Sequence, residues 1–448
     1  MKCISLVDRI KFEFEGNIHK NAIAFGDVDN DSCNELVVGN LAGALSIFKG
    51  MQSKPWAFAQ NLGMISSVIV GDIMNINKNM VVSISTEGSL YLFNVSENLN
   101  YRLELIKLGR TKSPSVVSCG EEATEYLKSG KTNDTLLLKA FHNQRLPANT
   151  KTSLLADIDN DGNVELVVGL TDRVVRTYRW VKLNEMGGKL IGIHKWEFAD
   201  QIGTISLNPN SNDGGVNIIV SQPGGTYAKL ECWGKRKLKT DKPNEETFTI
   251  EVHSEDYGEN GEEKVSNLTP FYYELDSAKM RNRNISTEIV GGIYGLNRNN
   301  EETKSLLAIG TVDGTLMLVD ESEILWSLQV DHQVFALAKL DVIEPDKEEL
   351  IACAWDGQTY IVNRDRCTVR FEFDEPVSAF IAGHYTVNPE KRPDTVPCLV
   401  YATFSNAIHL FYNVKLRSTI SKTYGLEKFC SELLYDFPDF VEENEEDK

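Results

Sequence analysis

A gapless internal repeat constrains this chain more than any other feature of it. The stretch GDVDNDSCNELVVGNLAGALSIF, beginning at Gly26, aligns with GDIMNINKNMVVSISTEGSLYLF, beginning at Gly71, at a constant offset of 45 residues (71 minus 26). The shared skeleton is Gly-Asp, a tight loop, an apolar strand, a turn and a second alternating strand. It recurs as ADIDNDGNVELVVGLTDRVVRTYRW from Ala156 and as LDVIEPDKEELIACAWDGQTYIV from Leu340. Three further copies keep mainly the strands: NIIVSQPGGTYAKLECW from Asn217, SLLAIGTVDGTLMLV from Ser305 and CLVYATFSNAIHLFY from Cys398, for seven units in all.

Each unit contains short strands with period-two alternation between Gly and Asn/Asp turns, and helical periodicity is almost absent. A small four-stranded sheet cannot bury both of its faces alone, so such units must stack. Radial stacking around an axis also protects most sheet edges. The expected fold is therefore all-β, a single seven-bladed β-propeller over residues 1–415, followed by a short amphipathic helix and acidic tail over 416–448.

Phase predicts how the ring closes. Most units follow an amphipathic strand such as HKWEF from His194, ILWSLQV from Ile324 or VRFEF from Val369, and the first such strand is RIKFEF from Arg9. Its partner should be the last unit, around Ala407 to Tyr412, which removes two exposed edges. Two stretches interrupt the repeat and read as insertions between blades. Residues 97–149 have a charged, Ser/Thr-rich middle too polar for a core. Residues 235–264 run from the basic Lys235, Arg236, Lys237 and Lys239 to a cluster of acids, which reads as a solvated loop. Beyond the last strand, Leu426, Phe429, Cys430, Leu433 and Leu434 share one helical face, suited either to a partner or to the chain's own propeller.

The informative side chains are Asp27, Asp29, Asp31 and Glu35, and again Asp157, Asp159, Asp161 and Glu165. Both sets stand at loop positions one, three, five and nine, a spacing that turns alternate carboxylates inward around a hard cation. Oxygen ligands on a flexible turn favour calcium. Carboxylates gathered within about 4 Å repel by roughly 1 kcal/mol per pair even at water's dielectric, so something positive should sit among them. The competing reading is a metal-free hairpin, since Asp and Asn are good turn residues. The second unit has Asp72, Met74, Ile76 and Met80 at these positions and the sixth has Asp341, Ile343, Pro345 and Glu349, so metal is dispensable for the fold. Ser32 stands where the second acidic loop has Gly162, at a cost if the backbone needs positive φ.

Charge narrows the partners. With 46 Lys and Arg against 65 Asp and Glu, the net charge of -19 opposes phosphate backbones and anionic lipid, so no nucleic acid and no direct membrane insertion are expected. The first residues carry too many charges for a secretory signal, and no stretch is long and apolar enough to span a bilayer. Eight scattered cysteines without CxxC pairs read as reduced thiols buried as small apolar residues, in the cytosol. Five N-x-S/T sequons, at Asn30, Asn94, Asn133, Asn267 and Asn284, matter only outside it. No catalytic or cofactor-binding residues are assigned. The sequence lacks G-x-S-x-G, P-loop, H-E-x-x-H and dinucleotide-binding motifs, and its seven histidines never reach ligand spacing. His332 reads as structural, and Trp355-Asp356-Gly357 as hairpin chemistry.

The D-x-D-x-D-x-x-x-E-L-V-V-G loops resemble FG-GAP repeats of the integrin α-subunit propeller. FGDVDNDSCNELVVG from Phe25, LPANTKTSLLADIDNDGNVELVVGLTDRVVRTYRW from Leu146, LWSLQVDHQVFAL from Leu325 and CAWDGQTYIV from Cys353 further resemble the integrin-alpha FG-GAP repeat-containing proteins of the KICSTOR complex. That resemblance implies a non-enzymatic scaffold in amino-acid sensing. Its partners would be a kaptin-like propeller, other KICSTOR subunits and the GATOR GTPase-activating complex. Its place would be cytoplasmic and peripheral on the lysosome through those partners, and its effect negative regulation of TOR kinase signalling. Other readings are an extracellular integrin-like adhesion propeller, marked by glycan at Asn284, an enzyme built in the central channel, and a calcium-responsive interaction module.

Overall fold

A computed structural model of the chain describes residues 2–4, 8–107, 135–184, 187–209, 215–232, 270–273, 275, 284–295, 304–344, 347–390 and 394–416. These form seven sheets of four or five strands, each with four antiparallel strands, a seven-bladed β-propeller. The innermost strands of successive blades are Ile23–Gly26, Ile65–Gly71, Thr150–Ala156, Ile205–Pro209, Thr287–Gly295, Val334–Glu344 and Val377–Tyr385. Each contacts the next, and the seventh returns to the first.

The position of a strand in its blade explains its sequence. Second strands lie between neighbouring blades and are buried on both faces, so Glu35–Gly39, Met80–Ser85 and Glu165–Leu170 are buried at every residue and are mostly apolar without polar-apolar alternation, with Glu35, Glu165, Ser83 and Ser85 as their buried polar members. Outer strands wet one face: Glu323–Gln329 alternates exposed and half-buried residues, and Arg9–Phe12 alternates exposed and buried ones. The glycine ending the L-V-V-G run has a packing reason. A Cβ on Gly39 would lie 2.6 Å from Ile65 Cγ2, and one on Gly169 would lie 2.7 Å from Ile205 Cδ1, both on the next blade's innermost strand.

Closure follows the predicted phase. Arg9–Phe12 pairs antiparallel with Ile408–Tyr412, Arg9 opposite Phe411 and Phe12 opposite Ile408. Phe12 is buried against Phe48 of the first blade, ring centroids 4.5 Å apart. Just upstream, Lys2–Ile4 adds a parallel strand to the outer edge of the sixth blade. Across the axis, Lys20 of the first blade reaches Glu288 of the fifth, Nζ to Oε1 2.5 Å, which ties two non-adjacent blades.

One interruption differs from its sequence reading. Within 97–149, His142–Arg145 is the outer strand of the second blade, paired with Ser89–Phe93. A helix, Val95–Lys107, buries Val95 and Leu99 in the core cluster of the first blade, and Leu136–Leu137 adds a parallel strand to that blade's outer edge. Asn94 caps the helix by accepting from Glu97 N–H at 3.1 Å. The polarity of H-N-Q-R concealed a strand whose residues alternate half-buried and exposed. Residues 235–264 and the apolar stripe at 426–434 lie outside the described residues. Of the cysteines whose side chains are described, Cys33, Cys232, Cys353 and Cys398 are buried as expected, whereas Cys367 is exposed.

Candidate functional site

Both acidic loops join the first and second strands of their blades, and the work of each carboxylate follows from its position. Asp27 accepts backbone N–H bonds from Asp31 (3.0 Å) and Ser32 (2.8 Å), and Asp157 does the same for Asp161 (3.1 Å) and Gly162 (2.8 Å). Asp72 repeats this in the second blade, taking Ile76 (3.0 Å) and Asn77 (2.6 Å), although that loop has no acids at its third, fifth and ninth positions. The ninth-position glutamate accepts from the N–H of the second residue: Glu35 from Val28 and Glu165 from Ile158, both at 3.1 Å, and Glu349 of the sixth blade from Val342 at 2.9 Å. Positions one and nine therefore shape the turn in both acidic loops, and Asp72 and Glu349 each keep one of these roles in loops without the acid pair. The sixth residue sits in the left-handed region, Gly162 at φ 89° and Ser32 at φ 68°, so the serine bears the strain expected for it.

The fourth-position asparagines fasten neighbouring blades. Asn30 donates to the Asn79 carbonyl (3.3 Å) and accepts from Asn79 N–H (2.7 Å). Asn75 does the same with Val164, at 3.2 and 2.6 Å. Asn34 extends the series to the seventh blade through Thr386 Oγ1 and the His384 carbonyl. These bonds link the seventh, first, second and third blades in series along one face of the ring.

Asp29 and Asp31, and their counterparts Asp159 and Asp161, have a different partner. Lys49 Nζ donates to Asp29 Oδ2 (2.9 Å) and Asp31 Oδ2 (2.7 Å) and makes an ion pair with Glu35 Oε1 at 2.9 Å, outside hydrogen-bond geometry. The ammonium also lies 4.9 Å from the centre of the Trp56 ring. In the third blade Arg179 reaches Asp159 Oδ2 (2.9 Å), Asp161 Oδ2 (2.8 Å) and Glu165 Oε1 (2.5 Å). Sequence reasoning missed both cations, and the repeat held the signal: each stands 22 residues after the first aspartate of its loop (49 minus 27, 179 minus 157).

Burial governs the electrostatics. It raises Glu35 to about 8 and Asp29 to about 6 against the opposing pull of Lys49. Burial likewise raises Glu165, to about 7, and Asp159. Burial pulls Lys49 down, but Glu35, Asp29 and Asp31 outweigh it and hold the ammonium charged. One oxygen each from Asp27, Asp29 and Glu35 lies within 4.8 Å of the others, as in the matching trio Asp157, Asp159 and Glu165. That spacing is able to hold an ion. However, calcium takes six to eight oxygens at ~2.3–2.6 Å, and here Lys49 and backbone amides engage most of the loop's carboxylate oxygens. Asp29 Oδ1 and Asp159 Oδ1 are the oxygens left buried without a hydrogen bond or an ion-pair contact. The donor set fits the chain's own cation and falls short of a calcium shell.

The described residues also bear an aromatic surface. Trp355 stacks on buried Phe335, centroids 4.0 Å apart, and lies 6.1 Å from Phe404 of the seventh blade; Trp355 and Phe404 are exposed. Trp355 sits in the hairpin expected for Trp-Asp-Gly, with Gly357 N–H bonding the Ala354 carbonyl at 3.0 Å. His332 is engaged structurally, its Nδ1 2.5 Å from Asp356 Oδ2.

Comparison with known proteins places this geometry. The family model of integrin-alpha FG-GAP repeat-containing protein 2 matches residues 49–416. KICSTOR complex protein ITFG2 of Mus musculus is 39% identical over 422 residues, 93% of this chain and 86% of that protein. The Bos taurus protein of the same name is 39% identical over 423 residues, 93% of this chain and 72% of its own length. Among solved structures, chains from two crystals of BBS1N in complex with ARL6DN, soaked with mercury and with lead, superpose with TM-scores of 0.56 and 0.54. They are 13% and 14% identical, and each alignment covers 92% of this chain and 97% of the other. At that identity the likeness is one of fold alone.

Proposed function

Since the chain belongs to the family of integrin-alpha FG-GAP repeat-containing protein 2, we propose that it is a non-enzymatic scaffold subunit of a KICSTOR-type complex. In this reading it joins a kaptin-like propeller and the other subunits, helps hold the GATOR complex at lysosomes and restrains TOR kinase signalling when amino acids are scarce. The observation that carries the reading is 39% identity across 93% of the chain with relatives named as KICSTOR complex proteins.

The physical chemistry agrees with a scaffold. A closed ring of fastened blades is a rigid carrier, and side chains at its loop tips are free to recognise other proteins. A net charge of -19 gives no attraction to anionic lipid, and no helix among the described residues is long and apolar enough to cross a membrane. Attachment to the lysosome would therefore come through other subunits. The exposed Trp355 is of a type enriched in protein–protein hot spots and Phe404 of a type enriched at interfaces, and a partner subunit is their proposed occupant.

The test is affinity purification of the tagged chain from cells under amino-acid starvation and refeeding, with mass spectrometry of what is retained. Recovery of kaptin-like and GATOR components, reduced at least several-fold by Trp355→Ala with Phe404→Ala, is the expected result. Recovery of secreted glycoproteins or a metabolic enzyme in their place would end the scaffold reading while leaving the propeller untouched.

A further inference from the structure

We propose that Lys49 and Arg179 stand where FG-GAP loops would hold a divalent cation, so that both acidic loops close without metal, and that the Lys49 ammonium is what bars calcium from the first loop.

Two independent observations meet in this assignment. The first is geometric. Lys49 reaches three of the loop's four acids at 2.7–2.9 Å, and the Arg179 fork reaches three of its four at 2.5–2.9 Å. In each loop the carboxylate at position one is turned to backbone amides instead, as it also is in the second blade. What remains in need of positive charge is the pair at positions three and five, where the cation sits.

The second observation lies within the chain itself. Four units carry the full loop and both following strands without gaps, so the residue 22 positions after the first aspartate can be compared among them. It is Lys49 and Arg179 in the two units with aspartates at positions three and five. It is Asn94 and Asn363 in the two units that have Met74 and Ile76, or Ile343 and Pro345, at those positions. The asparagines do unrelated local work, Asn94 capping a helix and Asn363 accepting from Cys367 N–H at 2.7 Å. Cation and acid pair occur together or not at all, as expected if one neutralises the other. An ion-binding loop would instead be weakened by a fixed positive charge at its centre.

The consequence is a propeller whose rim is indifferent to calcium concentration. The purified full-length chain should melt at the same temperature in EGTA and in calcium at ~1 mM, a level well above that which fills sensor-type sites. Lys49→Met should melt lower in EGTA and recover in calcium. Its calcium affinity should rise ~30-fold or more, the repulsion between a unit and a double charge ~4 Å apart even at water's dielectric. Terbium should then show luminescence sensitised by Trp56, and adding Asp31→Asn should abolish the gain. If Lys49→Met does not fold, Arg179→Gln, whose side chain is partly exposed, carries the same measurements in the third blade. Calcium-dependent melting of the unmodified protein would overturn the assignment, and so would variants that bind calcium no better than it does.

Discussion

The first and third blades carry the same acidic pattern in a nine-residue loop and a cation at the same repeat position, yet they bury that cation to different depths. The Lys49 side chain is 1% exposed and that of Arg179 is 26% exposed. The aspartates follow: the Asp29 side chain is 3% exposed and that of Asp159 is 22% exposed, whereas burial raises both Glu35 and Glu165. A buried ammonium needs every partner it has, because no water replaces a lost one. A guanidinium at the rim spreads its charge over a planar fork and keeps contact with solvent. One sequence pattern thus yields a closed internal ion cluster in one blade and a half-wetted clasp in the other.

Lys49→Met, which leaves the carboxylates of a buried cluster uncompensated, should cost ~3–5 kcal/mol by chemical denaturation at neutral pH. A loss below ~1 kcal/mol would place the cluster in water. Arg179→Met should cost less, ~1–2 kcal/mol, because its partners regain hydration. Equal losses at the two sites would erase the distinction in depth.

A pH series sharpens the first site. Glu35 is raised from 4.5 to about 8, so between those values the native chain holds a proton that the unfolded chain has released. Stability should therefore fall as pH rises through that window, and Glu35→Gln should flatten the fall. The smallest effect is expected at the turn: Ser32→Gly, which gives the first loop the residue type of Gly162, should stabilise by up to ~1 kcal/mol. Relief of the left-handed strain slightly exceeds the added freedom of the unfolded chain. No change in melting temperature would show that Ser32 sits there unstrained.

The fold could be read from the sequence because stacking forces each unit to repeat its strand and turn pattern. Even the partner of Arg9–Phe12 followed from phase. His142–Arg145 escaped because an outer strand needs little apolar content. The acidic residues were also legible, and so was their need for a positive neighbour. What was not legible was that the chain supplies that neighbour. Lys49 is far along the sequence from Asp29 and looks like an ordinary residue at a strand end, until Asn94 and Asn363 are seen in its place in the loops that lack the acids.

The pairing of Arg9–Phe12 with Ile408–Tyr412 also sets a clock on the birth of the molecule. The first member of that sheet leaves the ribosome almost 400 residues before its partner (408 minus 12). At roughly 5–20 residues per second, it waits on the order of 20–80 s with an unpaired edge. During that interval the nascent chain is an open arc, and the first six blades can form while the seventh cannot. A ribosome stalled or a message truncated short of Ile408 would release an arc with both ends exposed, a substrate for chaperones and proteases. Closure of the ring therefore waits on the last strand of the propeller to be made.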